Sequence, residues 1–176
     1  MKNSDFVKID ATVQQAWQEF MSTHNRPTFT AQQQQNIQLL WQQSAYAMRV
    51  CQRYPQHLNN LLATTDTTQQ SLSQLYADLS ERLISIDEEQ EFKESIREFR
   101  HLQLAIICWR DLILNAALES ILTAMSNVAD VCVQVSVDWL HRRLQNKYGL
   151  PLMSDKQPAE LCVCLLYTSP SPRDEQ

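Results

Sequence analysis

The sequence predicts an all-α fold, a multi-helix bundle, and three observations support that prediction. The chain has one glycine in 176 residues, whereas tight β-hairpins and phosphate-binding loops generally need several. Apolar residues recur at spacings of three and four over most of the chain, which is the period of a helix with one buried face. Apolar residues make up 44% of the sequence and charged residues 20%, so one domain with a sizeable core can form.

The first part of the chain contains two helix starts. Asp10 is predicted to cap a short helix, and Pro27 marks the connection that follows it. Thr30 and Gln33 form a capping-box pattern at the start of a second helix, which we expect to continue without a break until Pro55 ends it. The stripe of this second helix comprises Ile37, Leu40, Trp41, Ser44, Met48 and Cys51.

Two further helices follow a polar stretch. Residues 64–71, TTDTTQQS, are predicted to form a loop that ends in a helix cap. Asp87 is predicted to cap the fourth helix, whose segment from Leu104 to Cys108 is apolar on all sides. We therefore expect that half of the fourth helix to lie at the centre of the domain. The stripe of the third helix comprises Leu72, Leu75, Tyr76, Leu79, Leu83 and Ile86.

The last predicted helix is the longest. Asn115 is the expected cap at its start, and Gly149 followed by Pro151 gives a left-handed cap and a stop at its end. Its apolar stripe is predicted to comprise Leu118, Ile121, Leu122, Met125, Val128, Ala129, Cys132, Ser136, Trp139, Leu140 and Leu144.

Charge and hydropathy exclude several classes of partner. The net charge of −5 and the pI near 5.3 give no electrostatic footprint for a nucleic acid or an anionic membrane surface. The most apolar run, residues 102–108, is too short to span a bilayer, and residues 1–10 lack the apolar core of a signal peptide. We therefore expect a cytoplasmic protein with no nucleic-acid partner and no membrane contact.

The cysteines do not form a recognisable site. Five are present, and they are scattered without a Cys-x-x-Cys pair, which fits neither a zinc site nor a small disulfide scaffold. Cys164 falls in the C-terminal run of residues 164–176, which differs in composition from the rest of the chain. The others are expected to be buried free thiols: Cys51, Cys108, Cys132 and Cys162.

Two acid–histidine pairs have the spacing that di-iron helical bundles use. They are Glu98 with His101 and Asp138 with His141, and a metal site would need them to project inward together with two further carboxylates. At 100° per residue, however, each pair lies roughly 120° to 160° from the centre of its apolar stripe. We therefore expect both pairs to face water, and we assign no metal ligand, catalytic residue or cofactor-binding residue.

Arg110 lies on an otherwise apolar stripe, so its guanidinium is expected to be buried. A buried guanidinium must find an anion or hydrogen-bond acceptors. Glu119, one turn into the following helix, and the neighbouring Asp111 are the candidate partners. We predict a structural ion pair that fixes the corner between two helices, and a binding role for Arg110 is the alternative.

The C-terminal run differs from everything before it. Residues 164–176, CLLYTSPSPRDEQ, back-translate into a sequence that resembles a transposase-type sequencing adapter read in frame. We interpret this run as non-native and expect the natural sequence to continue differently after Val163. A disordered natural tail is the alternative, because proline, serine and charge are typical of such tails.

A family resemblance rests on residues 95–132, SIREFRHLQLAIICWRDLILNAALESILTAMSNVADVC, and on residues 139–151, WLHRRLQNKYGLP. The residues that carry it are Arg97, Phe99, Arg100, Trp109, Arg110, Asp111, Leu112, Leu118, Glu119, Ala129, Asp130, Trp139, Leu140, Tyr148, Gly149 and Pro151. With these residues the chain resembles the N-terminal part of the bacterial bifunctional glutamine synthetase adenylyltransferase/deadenylyltransferases. The likeness covers residues 88–163 well, residues 30–62 loosely and residues 1–29 hardly at all.

The resemblance implies a domain organisation. Residues 30–150 would form the N-terminal helical domain of this family, after a weakly matched helix in residues 1–29. Residues 151–163 would be a linker and, at Leu161–Val163, the first strand of a nucleotidyltransferase α/β domain that is truncated here. Leu102 and Ile106 stand where the family usually has two further arginines, so no binding role is carried onto this stretch.

The resemblance also implies an activity for a full-length enzyme. Such an enzyme moves AMP on or off a tyrosine of glutamine synthetase, uses ATP or ADP with Mg²⁺, and is controlled by a nitrogen-regulatory signal protein. The glycine-rich loop and Asp-x-Asp pair that would hold phosphate and Mg²⁺ are missing from this sequence, so we expect the fragment to be inactive alone. The alternative is a free-standing helical scaffold or protein-interaction module that ends naturally at Gln176.

Overall fold

The computed structural model describes residues 9–23, 29–65, 70–154 and 156–159, and within these ranges it is helical with no strand. The predicted all-α class is therefore confirmed. An isolated antiparallel bridge joins Leu152 to Pro158 after the last helix. The predicted connection at Pro27, Cys162, the strand at Leu161–Val163 and the run 164–176 lie outside the described residues. The helices are α1 (Ala11–Thr23), α2 (Ala31–Gln43), α3 (Ala45–Arg53), α4 (Leu58–Ala63), α5 (Leu72–Leu83), α6 (Glu89–Leu112) and α7 (Leu118–Tyr148).

The predicted second helix is wrong in one respect, because Ser44 divides it into α2 and α3. The capping box of Thr30 and Gln33 is present at the start of α2, as expected. Ser44 has an extended backbone with φ −139° and ψ 98°, and its hydroxyl accepts a hydrogen bond from the Ala47 amide at 3.1 Å. Serine can satisfy a free helix-start amide in this way, so it starts a new helix as readily as it continues one.

The chain after Pro55 holds two elements that the sequence reading missed. Residues Pro55–His57 form a short 3₁₀ turn, and α4 follows it directly. Leu58 and Leu61 of α4 are buried, with exposed fractions of 2% and 4%. Six residues are too few for a periodic apolar pattern to stand out, so packing rather than local sequence forms α4.

Two predicted caps are also wrong. The cap of α6 is Glu88 rather than Asp87, and the cap of α7 is Ala117 rather than Asn115; neither cap residue forms a side-chain hydrogen bond. Asn115 instead adopts a left-handed backbone with φ 53°, which asparagine tolerates better than most residues. The predicted end of α7 is confirmed, because Gly149 caps it with φ 86°.

The core consists of two clusters of buried side chains. The first cluster is formed by α1 to α4 and one tryptophan of α6, and the second cluster is formed by α5, α6 and α7. Members of the first cluster are Val13, Trp17, Phe20, Ile37, Leu40, Trp41, Ala47, Cys51, Leu58, Leu61 and Trp109. Members of the second cluster are Leu75, Leu79, Leu83, Phe92, Phe99, Ile107, Ile121, Ala124, Val128, Val131, Val135 and Trp139.

Helix α6 joins the two clusters. Ile107 belongs to the second cluster and Trp109 to the first, while Leu104 packs against the second and Cys108 against the first. The expectation that the segment from Leu104 to Cys108 lies at the centre of the domain is confirmed. A helix in this position is covered on opposite sides, which explains why this stretch is apolar all round.

Candidate functional site

Arg110 is buried, as the sequence predicts, with 4% of its surface exposed. Its guanidinium donates a hydrogen bond to the hydroxyl of Ser120 at 3.0 Å. The backbone carbonyl of Arg110 accepts a hydrogen bond from the Ala116 amide at 2.9 Å, which closes the turn between α6 and α7. Asp111 and Glu119 are exposed. The ion pair between Arg110 and these two carboxylates stays a prediction.

A polar cavity of about 380 Å³ lies beside Arg110, at the boundary between the two clusters. Its lining combines apolar residues of α5, α6 and α7 with basic, acidic and amide side chains. The polar lining residues are Asn60, Thr64, Gln70, Asp78, Arg82, Gln103 and Arg110. The cavity therefore lies next to the turn between α6 and α7, where Arg110 donates its hydrogen bond to Ser120.

The first acid–histidine pair does not act as a pair. Glu98 Oε1 lies 2.8 Å from His57 Nε2 of the 3₁₀ turn, and His101 Nδ1 lies 2.8 Å from the hydroxyl of Tyr46 in α3. Burial, together with the nearby charges of Arg100 and Arg53, lowers the pKa of His101. A neutral His101 whose Nδ1 accepts a hydrogen bond from the Tyr46 hydroxyl fits this environment. Glu98 and His101 therefore link α6 to the N-terminal part of the chain.

The second acid–histidine pair is also divided between different neighbours. Asp138 accepts a hydrogen bond from the Tyr76 hydroxyl at 2.6 Å, and His141 Nε2 lies 3.1 Å from the amide of Gln145. The bond to Asp138 raises the pKa of Tyr76. The expectation that both pairs simply face water is wrong, since all four residues are half-buried and hydrogen-bonded.

The described residues do not fit a metal or nucleotide site. Among them, no group of three or more His, Cys, Asp or Glu side chains is placed to hold a metal ion. The single glycine, Gly149, ends a helix and so belongs to no phosphate-binding loop. A magnesium–nucleotide complex, which the family resemblance implies for the whole enzyme, therefore finds no ligand set in this part of the chain.

Three of the predicted free thiols are described, and all three are free. Cys51 is buried in the first cluster, and burial raises the pKa of its thiol to about 11. Cys108 and Cys132 are half-buried, and burial also raises their pKa values. Thiols with raised pKa values are poor nucleophiles at neutral pH, so these cysteines fit the predicted packing role.

An open apolar groove with a volume of about 310 Å³ runs along the surface where α6 and α7 meet. Arg97 and Arg100 of α6 form one rim of the groove, and α7 forms the other side. The remaining lining residues are Ile96, Cys132, Val133, Ser136, Val137 and Leu140. The sequence did not predict this groove, and eight of the residues assigned to the buried stripe of α7 are exposed or half-buried in the structure.

Helix α7 is covered on one side only. Its buried residues are Ile121, Ala124, Val128, Val131, Val135 and Trp139, whereas Leu118, Leu122, Met125, Leu140 and Leu144 of the predicted stripe are 46–65% exposed. Among the described helices, α7 is the one long and apolar enough to cross a membrane, a test that core helices also pass. Its six buried residues pack in the second cluster, as those of a core helix do.

Comparison with known proteins identifies the family. The family model for glutamate-ammonia ligase adenylyltransferase matches residues 34–166 of this chain. This range includes most of α2 and all of α3 to α7, and therefore both the turn at Arg110 and the groove between α6 and α7.

Curated relatives agree with the family model, and their names state the same function. A bifunctional glutamine synthetase adenylyltransferase/adenylyl-removing enzyme of Idiomarina loihiensis is 28% identical over 161 residues, which is 89% of this chain and 17% of the relative. The corresponding enzyme of Shewanella oneidensis is 31% identical over 154 residues, which is 87% of this chain and 15% of the relative. That of Pseudomonas aeruginosa is 37% identical over 79 residues.

The chain spans about a sixth of the length of the first two relatives. Its match to the family model nevertheless extends over most of its own length. The chain belongs to the glutamate-ammonia ligase adenylyltransferase family.

Proposed function

We propose that this chain is the N-terminal helical part of an enzyme that adenylylates a tyrosine of glutamine synthetase and removes the AMP again. The observation that carries the proposal is the family match over residues 34–166, together with the names of the curated relatives. In the whole enzyme, ATP or ADP and Mg²⁺ would supply and accept the nucleotide. A nitrogen-regulatory signal protein would control the two activities, and the enzyme would work in the cytoplasm.

The helical part itself has an architectural role in this proposal, without chemistry of its own. The chain matches 15–17% of the length of the relatives from Idiomarina loihiensis and Shewanella oneidensis, so most of such an enzyme lies outside it. Phosphoryl and nucleotidyl transfer need ligands for Mg²⁺ and amides that approach phosphate closely. Such residues would be supplied by the domain that follows Val163, beginning with the strand predicted at Leu161–Val163.

The test of this role is an activity measurement on the isolated chain. Purified chain is mixed with adenylylated glutamine synthetase, phosphate and Mg²⁺, and release of ADP is followed. We expect no release above the background without the chain. Release well above background would show that the catalytic residues lie in the chain itself.

A free-standing helical scaffold is the second candidate, and the uncovered side of α7 is the observation that favours it. Genomic sequence across codon 164 separates the two candidates. Continuation into a glycine-rich loop and an Asp-x-Asp pair supports the enzyme. An uninterrupted gene with a stop after Gln176 supports the scaffold.

A further inference from the structure

One side of α7 is apolar, exposed and continuous over most of the helix. We call it the outer face; its residues are Leu118, Leu122, Met125, Ala129, Val133, Ser136, Leu140 and Leu144. Five of them are large apolar side chains with exposed fractions of 65%, 55%, 48%, 46% and 51%. From Leu118 to Leu144 the outer face is roughly 39 Å long at 1.5 Å per residue.

The outer face is separate from the buried face of the same helix. At 100° per residue, its centre lies roughly 120° from the centre of the buried face, which falls between Val128 and Val135. Between Leu118 and Leu140, no charged residue falls on the outer face. Scattered apolar residues on a surface need no explanation, but a continuous apolar stripe of this length marks an interaction site.

The groove beside the outer face adds a charge pattern. Arg97 and Arg100 form its rim, and the ion pairs found among the described residues are His57 with Glu98 and Lys93 with Glu89. The two rim guanidiniums therefore have no carboxylate within ion-pair distance in the described part of the chain. A segment with an apolar stripe and carboxylates along one edge would match both the groove and its rim.

We propose that the outer face and groove pack against an amphipathic, acidic-edged helix from the longer polypeptide of this family, in the part that follows α7. The relatives are about six times as long as the matched region, so a polypeptide of their length would have further chain that could cover this face. A covalently attached segment has an effective concentration in the millimolar range, so modest contacts suffice to hold it there. The inference rests on the part of the proposed function that makes this chain the N-terminal part of a longer enzyme, and not on the AMP-transfer chemistry.

Exposed apolar residues continue beyond the end of the helix. Leu150, Leu152 and Met153 are 52%, 56% and 52% exposed. Leu152 and Met153 belong to the turn closed by the bridge from Leu152 to Pro158, and Leu150 comes just before it. The Ala159 amide donates to the Pro151 carbonyl at 2.9 Å, which reverses the chain direction at this point. The uncovered apolar surface therefore continues into the connection that leads away from α7, which favours a covering segment further along the same polypeptide.

Cys132 gives a direct test, because it is half-buried and lines the groove. Residues 1–163 are placed in the Idiomarina loihiensis relative in exchange for the segment that they match, and iodoacetamide labelling is measured by peptide mass spectrometry. We expect Cys132 to react at least about 10-fold more slowly in this fusion than in the isolated chain. Equal rates would overturn the proposal.

Charge reversal at the rim is the second arm of the test. In the fusion, the double substitution Arg97→Glu and Arg100→Glu is expected to return Cys132 labelling towards the rate of the isolated chain that carries the same two substitutions. That reference is needed because burial raises the pKa of Cys132 and the charge of Arg100 partly offsets that rise. Arg49→Glu is the matched control, since Arg49 is an exposed arginine of α3 away from the groove, and it should leave labelling unchanged. A double variant that remains fully protected would overturn the acidic-edged helix as the occupant.

Two further measurements separate the other outcomes. A dimer mass in light scattering, with Cys132 labelling that slows as the isolated chain is concentrated, would identify a second copy as the occupant and overturn the proposal. If the fusion gives no cooperative thermal transition, labelling is repeated on the isolated chain after addition of the relative's remaining polypeptide. Protection supports the proposal and no protection overturns it. Labelling is independent of AMP transfer, so this test and the ADP-release test can fail separately.

Discussion

Helices α6 and α7 are both long and apolar, with 24 and 31 residues, but their surroundings differ. Helix α6 contacts α2, α3 and α4 on one side and α5 and α7 on the other, so apolar residues around its whole circumference are covered. Helix α7 packs against α5 and α6, and its outer face is left open. The difference shows that apolar residues at helical spacing do not by themselves reveal which face of a helix is buried, whereas the packing of the neighbouring helices does.

The largest expected difference between the two helices comes from truncating one side chain on each. Phe99→Ala in α6 should lower the free energy of unfolding by about 3–5 kcal/mol, because it empties a core position. Phe99 is 1% exposed and Leu122 of α7 is 55% exposed. Leu122→Ala should therefore cost less than about 0.5 kcal/mol. Urea unfolding followed by circular dichroism measures both; similar losses would show that α7 is covered in the isolated chain.

The pH dependence of stability should differ between Cys51, a thiol buried in the first cluster, and Cys132, a thiol at the open groove. Burial raises the pKa of Cys51 from 9.0 to about 11, so the folded chain holds this thiol proton more tightly than the unfolded chain. Its contribution is complete below pH 9.0 and is lost as the pH rises to about 11. That loss is about 2–3 kcal/mol.

Cys51→Ala should remove most of this alkaline loss of stability. Cys132→Ala is the matched control at the open groove and should leave most of it in place. Urea unfolding at a series of pH values across this range measures the slope for each variant. A Cys51→Ala variant with the slope of the unsubstituted chain would contradict burial of this thiol by the first cluster.

A smaller effect is expected at the corner where α6 meets α7. Ser120→Ala removes the hydroxyl that accepts a hydrogen bond from the Arg110 guanidinium at 3.0 Å. Losing a hydrogen bond to a buried charged group should cost about 1.5–2 kcal/mol. Ser126 is exposed on the same helix, so Ser126→Ala should change stability by less than about 0.5 kcal/mol. If the two variants lose the same stability in thermal unfolding, the hydrogen bond of Ser120 does not stabilise this corner.

The smallest expected effect is at Ser44, where the chain breaks between α2 and α3. Both of these helices contact α6. Ser44→Ala removes the side-chain cap of α3 and should cost about 1 kcal/mol. Ser136→Ala in α7 is the comparison, because the Ser136 hydroxyl donates back to the Cys132 carbonyl at 2.6 Å within a continuous helix. Such a bond contributes little, so this change should be close to neutral. The ranking is checked by urea unfolding and is contradicted if Ser136→Ala is the more costly change.

Local signals in the sequence predicted most of the helices and some of their ends. The capping box at Thr30 and the glycine cap at Gly149 are local geometries that depend on a few neighbouring residues, and both are present. The break at Ser44 and the caps at Glu88 and Ala117 were mispredicted. Alternative caps differ by about 1 kcal/mol or less, so packing of the helices against one another decides between them.

The sequence predicted the burial of Arg110 but not its hydrogen-bond partner, because that partner depends on how the helices pack. Burial of Arg110 followed from its place on an apolar stripe, but its bond to Ser120 depends on how α6 and α7 cross. The partners of Glu98 and His101 lie 41 and 55 residues away in the sequence, beyond any local pattern. Helical spacing predicted that these side chains leave the apolar stripe and could not predict what they would meet.

The sequence by itself determined the helical class, the family and the places where helices could start and stop, because periodicity, caps and motif residues act over a few positions. Only the tertiary structure decided that α6 is enclosed and α7 half open, and that the buried face of α7 is Val131 and its neighbours rather than Leu122 and Leu140. Both faces of α7 are apolar at helical spacing, so the pattern is the same for either choice. The physical difference is which face removes more apolar surface from water when α5 and α6 pack against it.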